Sequence, residues 1–155
     1  MEKVCCFTGH RIMPDKNIIL PALRSEIERH IAQENVVRFL CGGAIGFDML
    51  AAEVVLSLKQ VYNIKLCLFL PCKNQDEIWN QNYKKRYRYI LENADEVKYF
   101  SDGYYDGCMR ERNIRMVDQS DYCIAYLVSS FGGTYFTVNY ALQQNKKTVN
   151  IANLL

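Results

Sequence analysis

The sequence predicts a three-layer α/β domain: a doubly wound, mainly parallel sheet of about six strands with helices on both faces. Three observations carry that prediction. Short apolar runs alternate with longer amphipathic stretches along the whole chain, the mark of repeated β-α units. The connections are short, which with right-handed crossovers leaves a parallel sheet. One run, 64–70, is hydrophobic without a break up to Pro71, as suits a central strand covered on both faces.

The elements run in order along the chain. A first strand is expected at 4–8. Residues 17–33 place Ile19, Leu23, Ile27 and Ile31 at four-residue spacing, one apolar face of a helix. A second strand at 36–41 is closed by Gly42-Gly43, and 47–60 reads as a well-buried helix through Met49, Leu50, Val54 and Leu58. After the strand at 64–70, residues 75–93 are expected to be helical, with Ile78, Trp79, Tyr83, Tyr87, Ile90 and Leu91 on one side. A short strand at 96–100 leads to a loop at 101–107 rich in Gly, Asp and Tyr. A helix over 109–119, a strand over 122–127, a helix ending near Gln144 and a closing strand over 148–152 complete the pattern.

The 155 residues favour a single domain, 1–155, without linker, repeat or low-complexity tract. Half the residues are hydrophobic, 23% are charged, and the formal net charge is +2, too small to demand a polyanionic partner. Of seven cysteines, Cys5, Cys6, Cys67 and Cys123 fall inside expected buried strands, where a free thiol acts as a small hydrophobe. There is no C-x-x-C pair, and the only histidines are His10 and His30, so no structural zinc site is expected. This cysteine usage, no signal-like N-terminus and no apolar run long enough to cross a bilayer lead us to expect a cytoplasmic protein with no membrane partner.

In a doubly wound sheet, ligands bind outside the carboxyl ends of the strands. The residues just past each strand are therefore decisive. After the first come Thr8, Gly9, His10 and Arg11; after the second, Gly42, Gly43, Ala44, Ile45, Gly46, Phe47 and Asp48. After the third comes Pro71, and after the fifth Ser129, Ser130, Phe131, Gly132, Gly133 and Thr134. Two double-glycine turns thus feed helix starts. A helix start offers unpaired N–H donors and a partial positive charge, and glycine lets a ligand approach the backbone closely. Either turn alone also reads as a plain tight turn. Asp48, in the first turn of its helix, would repel phosphate; it caps that helix or accepts from ribose hydroxyls. The Gly132–Thr134 turn has no acid nearby, so the phosphate is placed there. Neither a Walker A loop nor a G-x-G-x-x-G fingerprint is present.

These motifs in combination, with Gln75, Trp79, Arg86, Tyr87 and the pair Arg112-Asn113, resemble the YpsA-like branch of the SLOG superfamily over nearly the whole chain. That superfamily groups the DNA-processing protein DprA with the Lonely Guy enzymes. The resemblance implies a Rossmann-like fold and nucleotide binding, with ADP-ribose or an NAD-like molecule as the expected ligand; we expect a sensor or regulator that requires no cofactor. Lonely Guy enzymes cleave the base from a nucleoside monophosphate. Met109-Arg110-Glu111-Arg112-Asn113 is similar to their arginine motif, so Arg112 takes the arginine position. Their catalytic glutamate position holds Asn139, which cannot accept a proton as a carboxylate does. Whether the chain is an enzyme is therefore open; Asp48 or Glu53 would have to substitute.

Other residues stay open between two readings. Arg11 is a phosphate ligand or a solvated loop arginine. His10 is a general base or a loop histidine bonded to backbone, and a nucleophilic pairing with Cys41 or Cys72 is not required by spacing. Trp79, Tyr83 and Tyr87 read as core, with Trp79 the alternative wall of a base pocket. Tyr104 and Tyr105 belong to an exposed loop or an aromatic lid. The run Lys84-Lys85-Arg86-Tyr87-Arg88 suits single-stranded nucleic acid, but on a helix with one apolar face it reads first as a solvated basic face. Nucleic acid is therefore not the expected partner; a small nucleotide is. A homo-oligomer is compatible with this fold.

Overall fold

A computed structural model describes residues 1–155. Six parallel strands form one sheet in the order β4-β3-β2-β1-β5-β6. They are β1 (Lys3–Gly9), β2 (Val36–Cys41), β3 (Lys65–Leu70), β4 (Glu96–Tyr99), β5 (Tyr122–Tyr126) and β6 (Lys147–Asn150), alternating with α1 (Lys16–Glu34), α2 (Phe47–Leu58), α3 (Gln81–Asn93), α4 (Cys108–Asp118) and α5 (Gly133–Gln143). The expected three-layer, doubly wound architecture is the one observed. The chain runs outward from β1 to β4, then returns to place β5 on the other side of β1, so the order reverses between β1 and β5. A crevice at that reversal is where the topology directs a ligand.

Alternation along the strands sorts the core into two layers. Cys5 and Phe7, Phe39 and Cys41, Leu66, Leu68 and Leu70, and Ile124 pack on the side of α1, α2 and α3. Cys6, Leu40, Cys67, Phe69, Cys123 and Ala125 face α4 and α5, meeting Met116, Val117, Val138 and Ala141. Three of the six strand residues on that second face are cysteines, all free and buried. Their small volume suits close helix packing, which is the core role expected of them.

Local chemistry sets the boundaries. Asp15 caps α1 by accepting from the Asn17 N–H at 2.8 Å, and Asn35 ends it in the left-handed region at φ 58°. The helix expected from residue 75 begins only at Gln81. Asn80 accepts from the Tyr83 N–H at 2.9 Å, and its extended backbone breaks the run. Ile78 consequently lies 93% exposed, while Trp79 packs edge-on against Tyr87 with centroids 5.0 Å apart. The closing strand ends at Asn150 and a 3-10 turn, Ile151–Leu154, comes after it. Asn150 accepts from Leu127 N–H at 3.0 Å, donates to Leu127 C=O at 2.8 Å, and accepts from Ala152 N–H at 3.2 Å. That side chain ties the end of β6 to the segment leaving β5. No helix is long and apolar enough to cross a membrane.

Candidate functional site

A cavity of about 390 Å³ opens at the β1–β5 reversal. The segment after β1 supplies Thr8, Gly9, His10 and Arg11; the turn before α2 supplies Ala44, and α2 itself Asp48. Met109, Arg112 and Asn113 come from α4, and Ser129, Phe131, Gly132, Gly133 and Thr134 from the turn into α5. Twelve residues expected at the site therefore converge here. Gly42, Gly43, Gly46, Phe47 and Pro71 do not line the cavity.

The reason is packing. Phe47 is fully buried, stacked near Tyr126 and edge-on to Phe7. Gly46, at φ 93°, lets α2 start directly beneath the first loop, and a Cβ there would stand 2.4 Å from the Arg11 carbonyl oxygen. Gly42 and Gly43 carry structural neighbours, the Arg112 guanidinium and the side chains of Leu70, Tyr87 and Gln75, and Pro71 lies outside the lining set.

The two glycine turns thus differ in kind. At α2, the Phe47 N–H donates to His10 C=O at 3.1 Å and the Met49 N–H to Ala44 C=O at 3.1 Å. That helix start is largely satisfied by protein. At α5 no side chain caps the helix, and the amides of Gly133, Thr134 and Tyr135 have no protein acceptor. Thr137 is buried and donates to Gly133 C=O at 2.8 Å, and the Ser129 hydroxyl donates to Phe131 C=O at 2.9 Å. The donors left over are backbone N–H groups at the positive end of a helix, the arrangement that holds anions.

Asp48 does not cap α2: the cap position is Gly46, with no side-chain bond. Its side chain is 6% exposed, lines the cavity, and its Oδ1 has no hydrogen-bond partner. Burial raises the carboxyl to about 6, against the opposing pull of the Arg112 charge. Arg112 is buried as well, and burial pulls its guanidinium below the usual arginine range. Nη1 donates to Gly42 C=O at 2.6 Å and Phe69 C=O at 3.0 Å, and Nε to Asn113 Oδ1 at 2.7 Å. Its position is neither a surface salt bridge nor a freely extended arm: it holds strand ends together while lending positive charge to the cavity floor. Arg11, by contrast, is exposed at the rim.

His10 takes the backbone-bonded reading: its Nε2 accepts from the Val128 N–H at 3.0 Å, and burial lowers its basicity. Cys41 donates its thiol to Asp48 C=O at 3.0 Å, and burial pushes that thiol up, so no Cys–His nucleophile forms. Trp79 and the 101–107 loop lie outside the cavity. The basic run on α3 is broken up: Arg86 pairs with Glu53 at 2.5 Å, and Tyr87 is buried. Sequence reasoning missed Met109 and Phe131 as lining residues. Met109 stands three residues before Arg112 on the same helical face, a spacing that marks it. Phe131 is an aromatic stranded in a Ser-Gly turn and 77% exposed.

Comparison with known proteins decides the family. The YpsA family model, which describes the YspA SLOG family, matches residues 5–154. The chain belongs to that family. It is 36% identical over 132 residues to the SPbeta prophage-derived protein YoqJ of Bacillus subtilis, covering 77% of each chain. It is 26% identical over 155 residues to a UPF0398 protein of Oceanobacillus iheyensis, covering 94% of this chain and 84% of the relative. Two solved structures of DNA processing protein A share the fold. That of Helicobacter pylori, solved for its single-stranded DNA binding mode, superposes with TM-score 0.68 at 21% identity; that of Streptococcus pneumoniae with 0.70 at 15%. Each match covers 94% of this chain, but this chain spans only 63% and 49% of those two proteins. The resemblance read from the motifs is thereby established.

Proposed function

We propose that this protein binds a phosphate-bearing nucleotide at the carboxyl edge of its sheet and acts as a sensor or regulator. One observation carries the reading: the amides of Gly133 and Thr134, without acceptors, and Asp48 Oδ1, without a donor, line the same cavity. A phosphate oxygen completes the first set and a sugar hydroxyl the second, so a single ligand bearing both groups satisfies a site that protein alone leaves unpaired. Arg11 at the rim and Arg112 beneath add positive charge. The volume of about 390 Å³ falls at the small end of ligand cavities, which run from roughly 300 to 1,000 Å³. Membership of a SLOG family and the fold shared with DNA processing protein A support nucleotide or DNA binding as the class; ADP-ribose or an NAD-like molecule is the specific ligand proposed.

Titration calorimetry with ADP-ribose, NAD and AMP tests this, with saturable binding expected for at least one. No heat from any of the three at millimolar ligand overturns it.

A second reading, cleavage of an N-glycosidic bond, is favoured by one feature. A cavity carboxyl raised to about 6 is suited to general-acid work near neutrality. Asn139, at the position of the Lonely Guy glutamate, lies outside this cavity and donates to Tyr135 C=O at 2.8 Å. Asp48 would therefore carry the reaction, and turnover abolished by Asp48→Asn with binding retained would establish it. Single-stranded DNA, the ligand of the Helicobacter pylori protein, is the third arm. Retention in a gel shift at physiological salt supports it, whereas retention only at very low salt marks non-specific attraction.

A further inference from the structure

A second recess, of about 380 Å³, opens on the other side of the 131–132 turn and shares Phe131 and Gly132 with the first. Its walls come from α4 and α5. The guanidinium carbon of Arg110 stands 3.9 Å from the centroid of the Phe136 ring, and Phe136 lies nearly parallel to Tyr140, at 7° and 6.2 Å. The Tyr140 hydroxyl donates to Asp118 at 2.6 Å, which holds that ring in place. Arg110 joins none of the molecule's ion pairs. A guanidinium laid on an aromatic face keeps its opposite face for another flat π system. Asn139 spends its amide N–H on Tyr135 C=O and keeps its oxygen as an acceptor beside the same rings. Phe131 forms the ridge between the two recesses.

We infer that the second recess stacks a planar nitrogen heterocycle joined to the far side of the phosphate held at 132–134. The ligand is then a phosphate ester substituted on both sides, not a terminal monophosphate. The inference rests on the reading that phosphate sits at that turn. It comes from the order along the edge: the sugar-seeking carboxyl of Asp48 in the first recess, the free amides at the shared turn, and the aromatic stack beyond. A monophosphate reaches one recess only. A pyrophosphate-linked dinucleotide and a phosphodiester step of single-stranded DNA both have the required chemistry.

Calorimetry on the whole chain with AMP, NAD and the dinucleotide dApdA separates the cases. Base stacking on an aromatic is worth roughly tenfold or more in affinity. NAD or dApdA is therefore expected to bind at least about tenfold more tightly than AMP, the better of the two naming pyrophosphate or diester as the source. That margin is expected to collapse below about twofold in Arg110→Gln, a change at an exposed position, and in Phe136→Leu, which retains apolar volume. Equal affinities for all three ligands, or a margin that survives both substitutions, overturn the inference. AMP binding without any margin refutes the second recess alone; no binding of any ligand refutes the phosphate reading and the second recess together.

Discussion

Arg112 donates through a single nitrogen, Nη1, to the main-chain carbonyl of Gly42 at 2.6 Å, and the same nitrogen reaches Phe69 C=O at 3.0 Å. One guanidinium thus ties the ends of β2 and β3 at the floor of the cavity. Removing it leaves two inward-facing carbonyls short of a charged donor. Arg112→Met is therefore expected to lower unfolding free energy by about 2–4 kcal/mol, measured by urea denaturation. A loss under about 0.5 kcal/mol contradicts the structural role. The same result bears on function: weak ligand binding in this variant reports a collapsed floor as much as a lost phosphate contact.

The glycine turns give a contrast within one experiment. A Cβ at Gly46 meets the Arg11 backbone at 2.4 Å in a left-handed conformation, whereas at Gly133 nothing lies within 4 Å. Gly46→Ala is expected to cost more than about 2 kcal/mol, and Gly133→Ala to stay within about 0.5 kcal/mol of the parent. Thermal unfolding of both variants decides, and equal destabilisation would show that the close approach between the first loop and α2 is wrong.

Asp48 sets a pH dependence. Its ordinary value of 3.8 is raised to about 6 in the fold because burial disfavours the charge. The folded state thus binds the proton more tightly than the unfolded chain. The contribution from this group is full below about pH 4 and is lost as pH rises through about 6. Asp48→Asn keeps the shape without the charge. At pH 8 it is expected to be more stable than the parent by about 1–3 kcal/mol, with the gap closing towards pH 4. Unfolding midpoints at both pH values check this; parallel pH profiles for the two proteins would show that Asp48 is not the titrating group.

Gly133 stands at the first position of α5, where proline is tolerated and its missing N–H costs the helix nothing. Gly132 before it is extended in ψ, at −175°, as a residue preceding proline needs to be. Gly133→Pro therefore deletes one of the free amides while leaving the fold alone. Affinity for inorganic phosphate or AMP is expected to fall about tenfold, near the worth of one charge-assisted hydrogen bond, with an unchanged melting temperature. Undiminished affinity would move the anion away from this turn.

The strand-end positions of the cavity residues were readable from local pattern because each β-α unit announces itself by an apolar run, a glycine turn and a helical period. The glycine turn at 132–134 stood out by the absence of a nearby acid. Local pattern also misjudged some positions, each for a tertiary reason. The helix expected from residue 75 lost its first turns to the Asn80 cap. Phe47, Gly42 and Gly43, read as ligand contacts from their place after β2, became packing elements beneath it. Phe131 gave no periodic signal at all.

Chain order and residue type alone determined the layered α/β scaffold and the edge at which the cavity opens, since both arise from short-range periodicity and the handedness of crossovers. Only the packed structure showed which of the two glycine turns keeps its helix-start amides free. Whether an amide is free, or a carboxyl unpartnered, depends on which residues from distant segments arrive beside it. His10 C=O closes the start of α2, nothing closes the start of α5, and Arg112 is drawn to two strand ends 70 and 43 residues away.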